Sequence, residues 1–193
     1  MPRCGALIVR TAKTAINMTR SEPAHFTTFA YGSNMLTARL RARVPSATAI
    51  GVGYIAGHAL KWHKKSRDGS GKCDIERTGQ NGDVVWGVLF KIATAEKPAL
   101  DEAEGFGAGY EEQSVEIVVG DSTLPALAYV ATSKDSSLRP YHWYKAFVVA
   151  GAKEHGLPVA YVDSLEATAS IADPDSKRNA KNMRIFSSDT RNT

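Results

Sequence analysis

The run Val84-Val85-Trp86-Gly87-Val88-Leu89-Phe90 constrains the fold more than any other stretch of this chain. Such an unbroken apolar run reads as a strand covered on both faces, at the centre of a sheet. Its neighbours must come from the other β-prone segments: 26–31, 47–57, 58–64, 73–78, 110–119 and 124–131. Gly57 is expected to bend the second into the third. Gly79-Gln80-Asn81-Gly82 reads as a hairpin turn between 73–78 and 84–92, and Gly120-Asp121 as another between 110–119 and 124–131.

Helical patterns fill the remainder. One covers 35–43, with Met35, Leu36 and Leu40 on one side and Ser33 or Asn34 as its N-cap. A second covers 95–104, capped by Thr94, interrupted by Pro98 and ended by Gly105. Pro140 opens a third, in which Tyr144, Phe147, Val148 and Gly151 recur at helical spacing. Gly156 ends it, and Pro158 starts a fourth carrying Tyr161, Val162 and Leu165. Antiparallel strands with helices between them and a helical C-terminal third make a single α+β domain. Periodicity leaves open whether the sheet closes. At 193 residues the core needs no metal or disulfide staple. The domain is expected over 25–172, after a mobile N-terminal extension (1–24) and before a C-terminal tail (173–193). The Gly/Ser/Lys stretch 66–72 reads as an exposed loop.

A net charge of +4 conceals an asymmetry: residues 1–72 carry 12 basic and 2 acidic side chains, and 73–135 carry 4 basic and 12 acidic. No nucleic-acid motif accompanies the basic third, so Arg39, Arg41, Arg43, Lys61, Lys64, Lys65 and Arg67 read as solvated surface rather than a nucleic-acid interface. No apolar run approaches the length of a membrane span, and no membrane partner is expected. Cys4 and Cys73 form no disulfide framework or zinc spacing; a reducing, cytoplasmic setting fits, with Cys73 a core thiol. No metal or cofactor is expected. His58 and His63 do not share a face as ligands would, and GxSxG, P-loop and GxGxxG motifs are absent.

Chemistry concentrates in two places. Tyr31-Gly32-Ser33-Asn34 follows a β-prone run and precedes a helix, an order that presents backbone N–H groups where negative charge is stabilised. The same residues also suit an ordinary turn. About seventy residues on, Glu104 closes a helix just before Gly105, where the negative dipole end and partial burial would both raise a carboxyl pKa toward that of a general base. Asp101, Glu102 and Glu104 could equally form a solvated acidic face.

Several motifs resemble the γ-glutamylcyclotransferase family. Phe29-Ala30-Tyr31-Gly32-Ser33-Asn34-Met35-Leu36 is similar to its FAYGSN-L signature, and Arg43-Val44-Pro45-Ser46-Ala47 to the stretch that follows it. Gly82-Asp83-Val84-Val85-Trp86-Gly87-Val88 resembles its GDxVWGV strand, and Leu100-Asp101-Glu102-Ala103-Glu104-Gly105 its LDxxEG motif. Tyr144-Lys145 with Gly151-Ala152-Lys153-Glu154-His155-Gly156-Leu157-Pro158 resembles its YKxxxxxGAKExGLP block. The resemblance implies a sheet closing into a barrel flanked by helices. It implies an enzyme that converts γ-glutamyl amino acids to 5-oxoproline and a free amino acid, the substrate's own α-amine attacking its γ-carbonyl. Glu104 would be the acid/base. Thr28, Phe29, Ala30, Tyr31, Gly32 and Ser33 would line the γ-glutamyl pocket, with Asn34 pinning the turn and Tyr144 touching substrate. Tyr110 is a further candidate for the pocket wall. The partner is then a small γ-glutamyl substrate, with a second copy of the chain, as a homodimer, the only macromolecular partner considered.

Three readings remain open on sequence. One is a cyclotransferase for γ-glutamyl amino acids. The second is a relative with another leaving group, a γ-glutamylamine or glutathione. The third is a non-catalytic module that keeps the fold. Tyr31 and Tyr144 could also be core aromatics with satisfied hydroxyls.

Overall fold

The computed structural model describes residues 1, 24–80 and 82–187. Five strands close into a barrel: β1 (His25–Ala30), β5 (Val84–Ala93), β2 (Thr48–Ala56), β6 (Tyr110–Val119) and β7 (Ser122–Ala131), in that order. The long apolar run is β5, flanked by β1 and β2, both antiparallel to it. Its Val85, Val88, Leu89, Phe90 and Ile92 are buried, as a strand covered on two faces requires. β6 and β7 form the expected hairpin across Gly120-Asp121. Closure comes from a parallel contact of β1 with β7 at Thr28 and Leu127, reinforced by the Thr28 hydroxyl donating to the Leu127 carbonyl at 3.0 Å.

The other expected hairpin is absent. β4 (Gly71–Arg77) pairs with β3 (His58–Lys65) in a separate two-stranded sheet, and β5 pairs elsewhere. The cause lies at Gly57, where β2 bends into β3. The Gly57 N–H donates to the Asp83 carbonyl and the Gly57 carbonyl accepts from Thr78 N–H. The chain on either side of the Gly79 turn is therefore sewn to that bend, so the turn carries the chain from one sheet to the other. Gln80 and Gly82 are described there; Asn81 lies outside the described residues. The expected loop 66–72 is instead the turn of the β3–β4 pair, tightened by Asp68, whose carboxylate accepts from Ser70 N–H at 3.0 Å and from the Ser70 hydroxyl at 2.7 Å.

Five helices complete the described chain: α1 (Thr37–Arg41), α2 (Lys97–Glu104), α3 (His142–Glu154), α4 (Val159–Ala167) and α5 (Ser176–Ser187). Single-turn 3-10 segments precede α1 (Ser33–Met35) and α2 (Thr94–Glu96). Thr94 does not cap with its side chain, and Pro98 sits in the first turn of α2, where a missing N–H costs no helical bond. α3 is the central helix, burying Trp143, Tyr144, Phe147, Val148 and Ala152. The stretch after Asp173, expected as tail, holds α5, docked on α3 through Phe186 and Phe147 with ring centres 5.4 Å apart. Asp173 itself accepts from the Trp143 indole N–H at 2.8 Å and pairs with Arg178. The expected extension at 2–23 and the end of the expected tail, 188–193, lie outside the described residues. Among those described, no helix is long and apolar enough to cross a membrane.

Candidate active site

One end of the barrel opens into a cleft of about 460 Å³, counting its mouth. β1 delivers Thr28, Phe29 and Ala30 to its wall, and the chain then turns through Tyr31, Gly32, Ser33 and Asn34 along its rim. The first bond of the turn runs from Met35 N–H to the Gly32 carbonyl at 3.0 Å. Among the described residues, the N–H groups of Gly32, Ser33 and Asn34 donate to no backbone carbonyl. Neither Ser33 nor Asn34 caps α1, which corrects the sequence expectation; Leu36 occupies the cap position without a side-chain bond. Both side chains serve tertiary contacts instead. Ser33 Oγ accepts from Arg39 Nε at 3.0 Å, and Asn34 reaches across to α2.

Glu104 is the last residue of α2, which stops at Gly105 in the left-handed conformation (φ 72°). Its Oε1 accepts from Asn34 Nδ2 at 2.6 Å and from Arg43 at 2.6 Å, while Arg43 also donates to Asn34 Oδ1 at 2.8 Å. Three side chains from three parts of the chain thus form a closed ring of hydrogen bonds. The Glu104 side chain retains 16 % exposure and lines the cleft. The two features that sequence separated by about seventy residues therefore meet directly, joined by Asn34. Sequence reasoning weighed the helix end and burial for Glu104 and missed Arg43, read as solvated surface. Arg43 opens the Arg43-Val44-Pro45-Ser46-Ala47 stretch, the one signal that could have singled it out.

Tyrosines make the rest of the wall. Tyr110, at the start of β6, donates its hydroxyl to the Cys73 carbonyl at 2.6 Å. Tyr144, on α3, accepts from Cys73 N–H at 3.1 Å. The Tyr31 hydroxyl donates to the Tyr129 carbonyl. All three rings are buried, and desolvation pushes each phenol well above its ordinary value of 10.0, so the hydroxyls stay protonated. Cys73, also against the cleft, is pushed up to about 12 by burial, which keeps it a thiol rather than a nucleophile. Its strand is anchored by the neighbouring Asp74, fully buried, which accepts from His63 Nε2, Lys134 Nζ and Ala131 N–H, each at 2.8 Å. Cys73 and Tyr129 are cleft residues that sequence reasoning did not select, and neither carries a local motif.

A carboxylate at the rim of a narrow cleft can carry a proton, and backbone N–H groups without a backbone acceptor can stabilise an oxyanion. Among the described residues no cluster of His, Cys, Asp or Glu is arranged to hold a metal ion.

Residues 84–165 match the model of the AIG2-like family. A human γ-glutamylcyclotransferase is 34 % identical over 158 residues, covering 78 % of this chain and 82 % of that protein. The mouse γ-glutamylcyclotransferase is 32 % identical, covering 74 % and 78 %. A solved structure of a γ-glutamyl cyclotransferase superposes with a TM-score of 0.74 at 29 % identity, over 83 % of this chain and 99 % of the other. With that identity, coverage and shared barrel, this chain belongs to the γ-glutamylcyclotransferase family of enzymes.

Proposed function

We propose that this enzyme cyclises γ-glutamyl amino acids to 5-oxoproline, releasing the free amino acid, with Glu104 as the acid/base. The observation that carries the reading is the Asn34–Arg43–Glu104 ring, which holds one carboxylate at the rim of a tyrosine-walled cleft. The nucleophile of this reaction is tethered to its electrophile, so folding the γ-glutamyl group into an attack geometry supplies much of the acceleration. Thr28, Phe29, Ala30 and Tyr31 would enclose that group against Tyr110 and Tyr144. The substrate ammonium gives a proton to Glu104, the freed amine attacks the γ-carbonyl, and the N–H groups of Gly32, Ser33 and Asn34 receive the oxyanion. Collapse expels the leaving nitrogen, which takes that proton from Glu104, and the second proton shed by the ring nitrogen leaves with the product amine as its ammonium. A cytoplasmic setting belongs to the same reading and is supported by the free thiol of Cys73.

The test is 5-oxoproline release from γ-glutamyl-alanine by the wild type and by Glu104→Gln. The amide keeps an oxygen for Arg43 and Asn34, so the variant should fold. Loss of the proton carrier should lower kcat by about 10²- to 10⁴-fold. A folded variant that keeps wild-type turnover would exclude Glu104 as the acid/base.

A further inference from the structure

A separate groove of about 900 Å³, counting its mouth, runs between α5 and the α1 and α3 helices. Its walls carry three cations, Arg39 of α1 with Lys181 and Arg184 of α5, beside the apolar Phe147 and Ile185. Among the described residues no carboxylate lines it, and none of the three cations has an acid within ion-pair distance. α5 holds Lys177, Arg178, Lys181 and Arg184 and no acid; of these, Arg178 is matched by Asp173. Residues 188–193 add one acid, Asp189, and one base, Arg191, so they bring no net side-chain charge.

Left empty, this arrangement is unfavourable. Lys181 and Arg184 are three residues apart on one helical face, where like charges repel. Arg39 is drawn away from water, its guanidinium 4.7 Å from the centre of the Phe147 ring and 6.0 Å from that of Trp143. Its Nε donates to Ser33 Oγ, and among the described residues the side chain makes no other hydrogen bond, so both terminal amino groups are unused. Desolvation, with Arg43 nearby, pulls it down to about 10. Aromatic faces offset only part of the cost of withdrawing a cation from water. The negative end of the α5 dipole favours Arg184 in the last turn, but that effect fades within a turn and reaches neither Lys181 nor Arg39.

We infer that this groove binds a small molecule carrying a diphosphate group, a ligand class that the cyclotransferase reaction does not use. Charge decides the class. A carboxylate offers one negative charge and a phosphate monoester about two, whereas a diphosphate brings about three to meet the three cations. The guanidinium forks of Arg39 and Arg184 match pairs of phosphate oxygens, and Lys181 adds a point charge. The helix dipole opposes an anion here by less than one charge-assisted hydrogen bond supplies. An anionic bilayer fits worse, because α5 packs its apolar Ile185 and Phe186 against the core and so closes that face to lipid. Through Ser33, Arg39 also ties the groove to the turn that rims the first cleft, so an occupant would fix the arginine that supports this turn.

Isothermal titration of the full chain with pyrophosphate and with ADP, in phosphate-free buffer of matched ionic strength, tests the site. Pyrophosphate should bind saturably, one to one, and raise Tm by about 5 °C or more at about a hundredfold excess over Kd. Lys181→Gln and Arg184→Gln keep good helix formers at exposed positions, so both should fold, and each should weaken pyrophosphate about tenfold or more. Lys91→Gln removes the same charge from the exposed barrel surface and should leave Kd within about twofold. ADP binding as tightly as pyrophosphate assigns the diphosphate alone, and tighter binding assigns a nucleotide; both uphold the site. No saturable binding of either compound to the wild type would overturn it without any variant having to fold. An equal loss in Lys91→Gln and the two α5 variants would reduce the effect to overall charge and overturn it too. These readouts are independent of turnover, so they hold whether or not 5-oxoproline is released.

Discussion

Gly151→Ala tests how rigidly the fold holds the rim of the cleft. Gly151 sits mid-helix in α3, where the intrinsic preference favours alanine by about 1 kcal/mol. The tertiary setting reverses that sign. A Cβ at this position would lie 2.3 Å from Leu36 N, 2.5 Å from the Met35 carbonyl carbon and 2.7 Å from Met35 Cβ. Two of the three contacts are backbone atoms, so no rotamer change relieves them; either α3 or the 33–36 segment must move. Overpacking of this kind costs about 1–3 kcal/mol, which cancels the helical gain and leaves a net loss. For a chain of this length each kcal/mol lowers Tm by about 2–4 °C. The displaced segment is the one that carries Asn34, so the Glu104 ring loosens as well. A shift of about 1 Å there is enough for up to a 10²-fold fall in turnover. Thermal unfolding and 5-oxoproline release on the same preparation read both effects. A variant more stable than the wild type, with unchanged kcat/KM, would show that propensity outweighs the contact and would refute the reasoning.

Two further outcomes follow from perturbed groups near the cleft. Burial lowers Lys72 from 10.5 to about 8, so between those values the unfolded chain binds more protons than the folded one. Its stabilising contribution is full above 10.5 and is lost as the pH falls through about 8. Relative to Lys72→Met, the wild type should therefore gain about 3 kcal/mol in urea unfolding between the low and high ends of this window; a flat difference would contradict the shift. Cys73, pushed up to about 12, should resist iodoacetamide at pH 8 while folded and react on unfolding, read by mass mapping of its peptide; rapid native-state labelling would contradict its burial.

Strand and helix positions were legible because they are local. β5 announces itself in an unbroken apolar run, α3 in the spacing of Tyr144 and Phe147 before Gly156, and α4 in that of Val162 and Leu165 after Pro158. The partner of β4 was not legible. The Gly79 turn looks the same to local chemistry whether it closes a hairpin or crosses between sheets, and only the bonds at Gly57 distinguish the two. α5 was missed for a related reason: its helix is polar except where it meets α3, so its pattern reads as tail until Phe147 is beside it.

At the site, sequence alone determined the chemical types: a glycine turn after a strand, a glutamate closing a helix and a tyrosine on the helix beyond. Motif order tied them to one family. Tertiary structure decided which groups complete them. Arg43 and Lys64 are basic side chains in a basic third of the chain, and nothing local separates them from solvated Arg41 or Lys65. Their surroundings are set by what folding places opposite them, a carboxylate for Arg43 and a buried aromatic ring for Lys64. Electrostatic work depends on distance and desolvation, and both are properties of the packed chain rather than of any one residue.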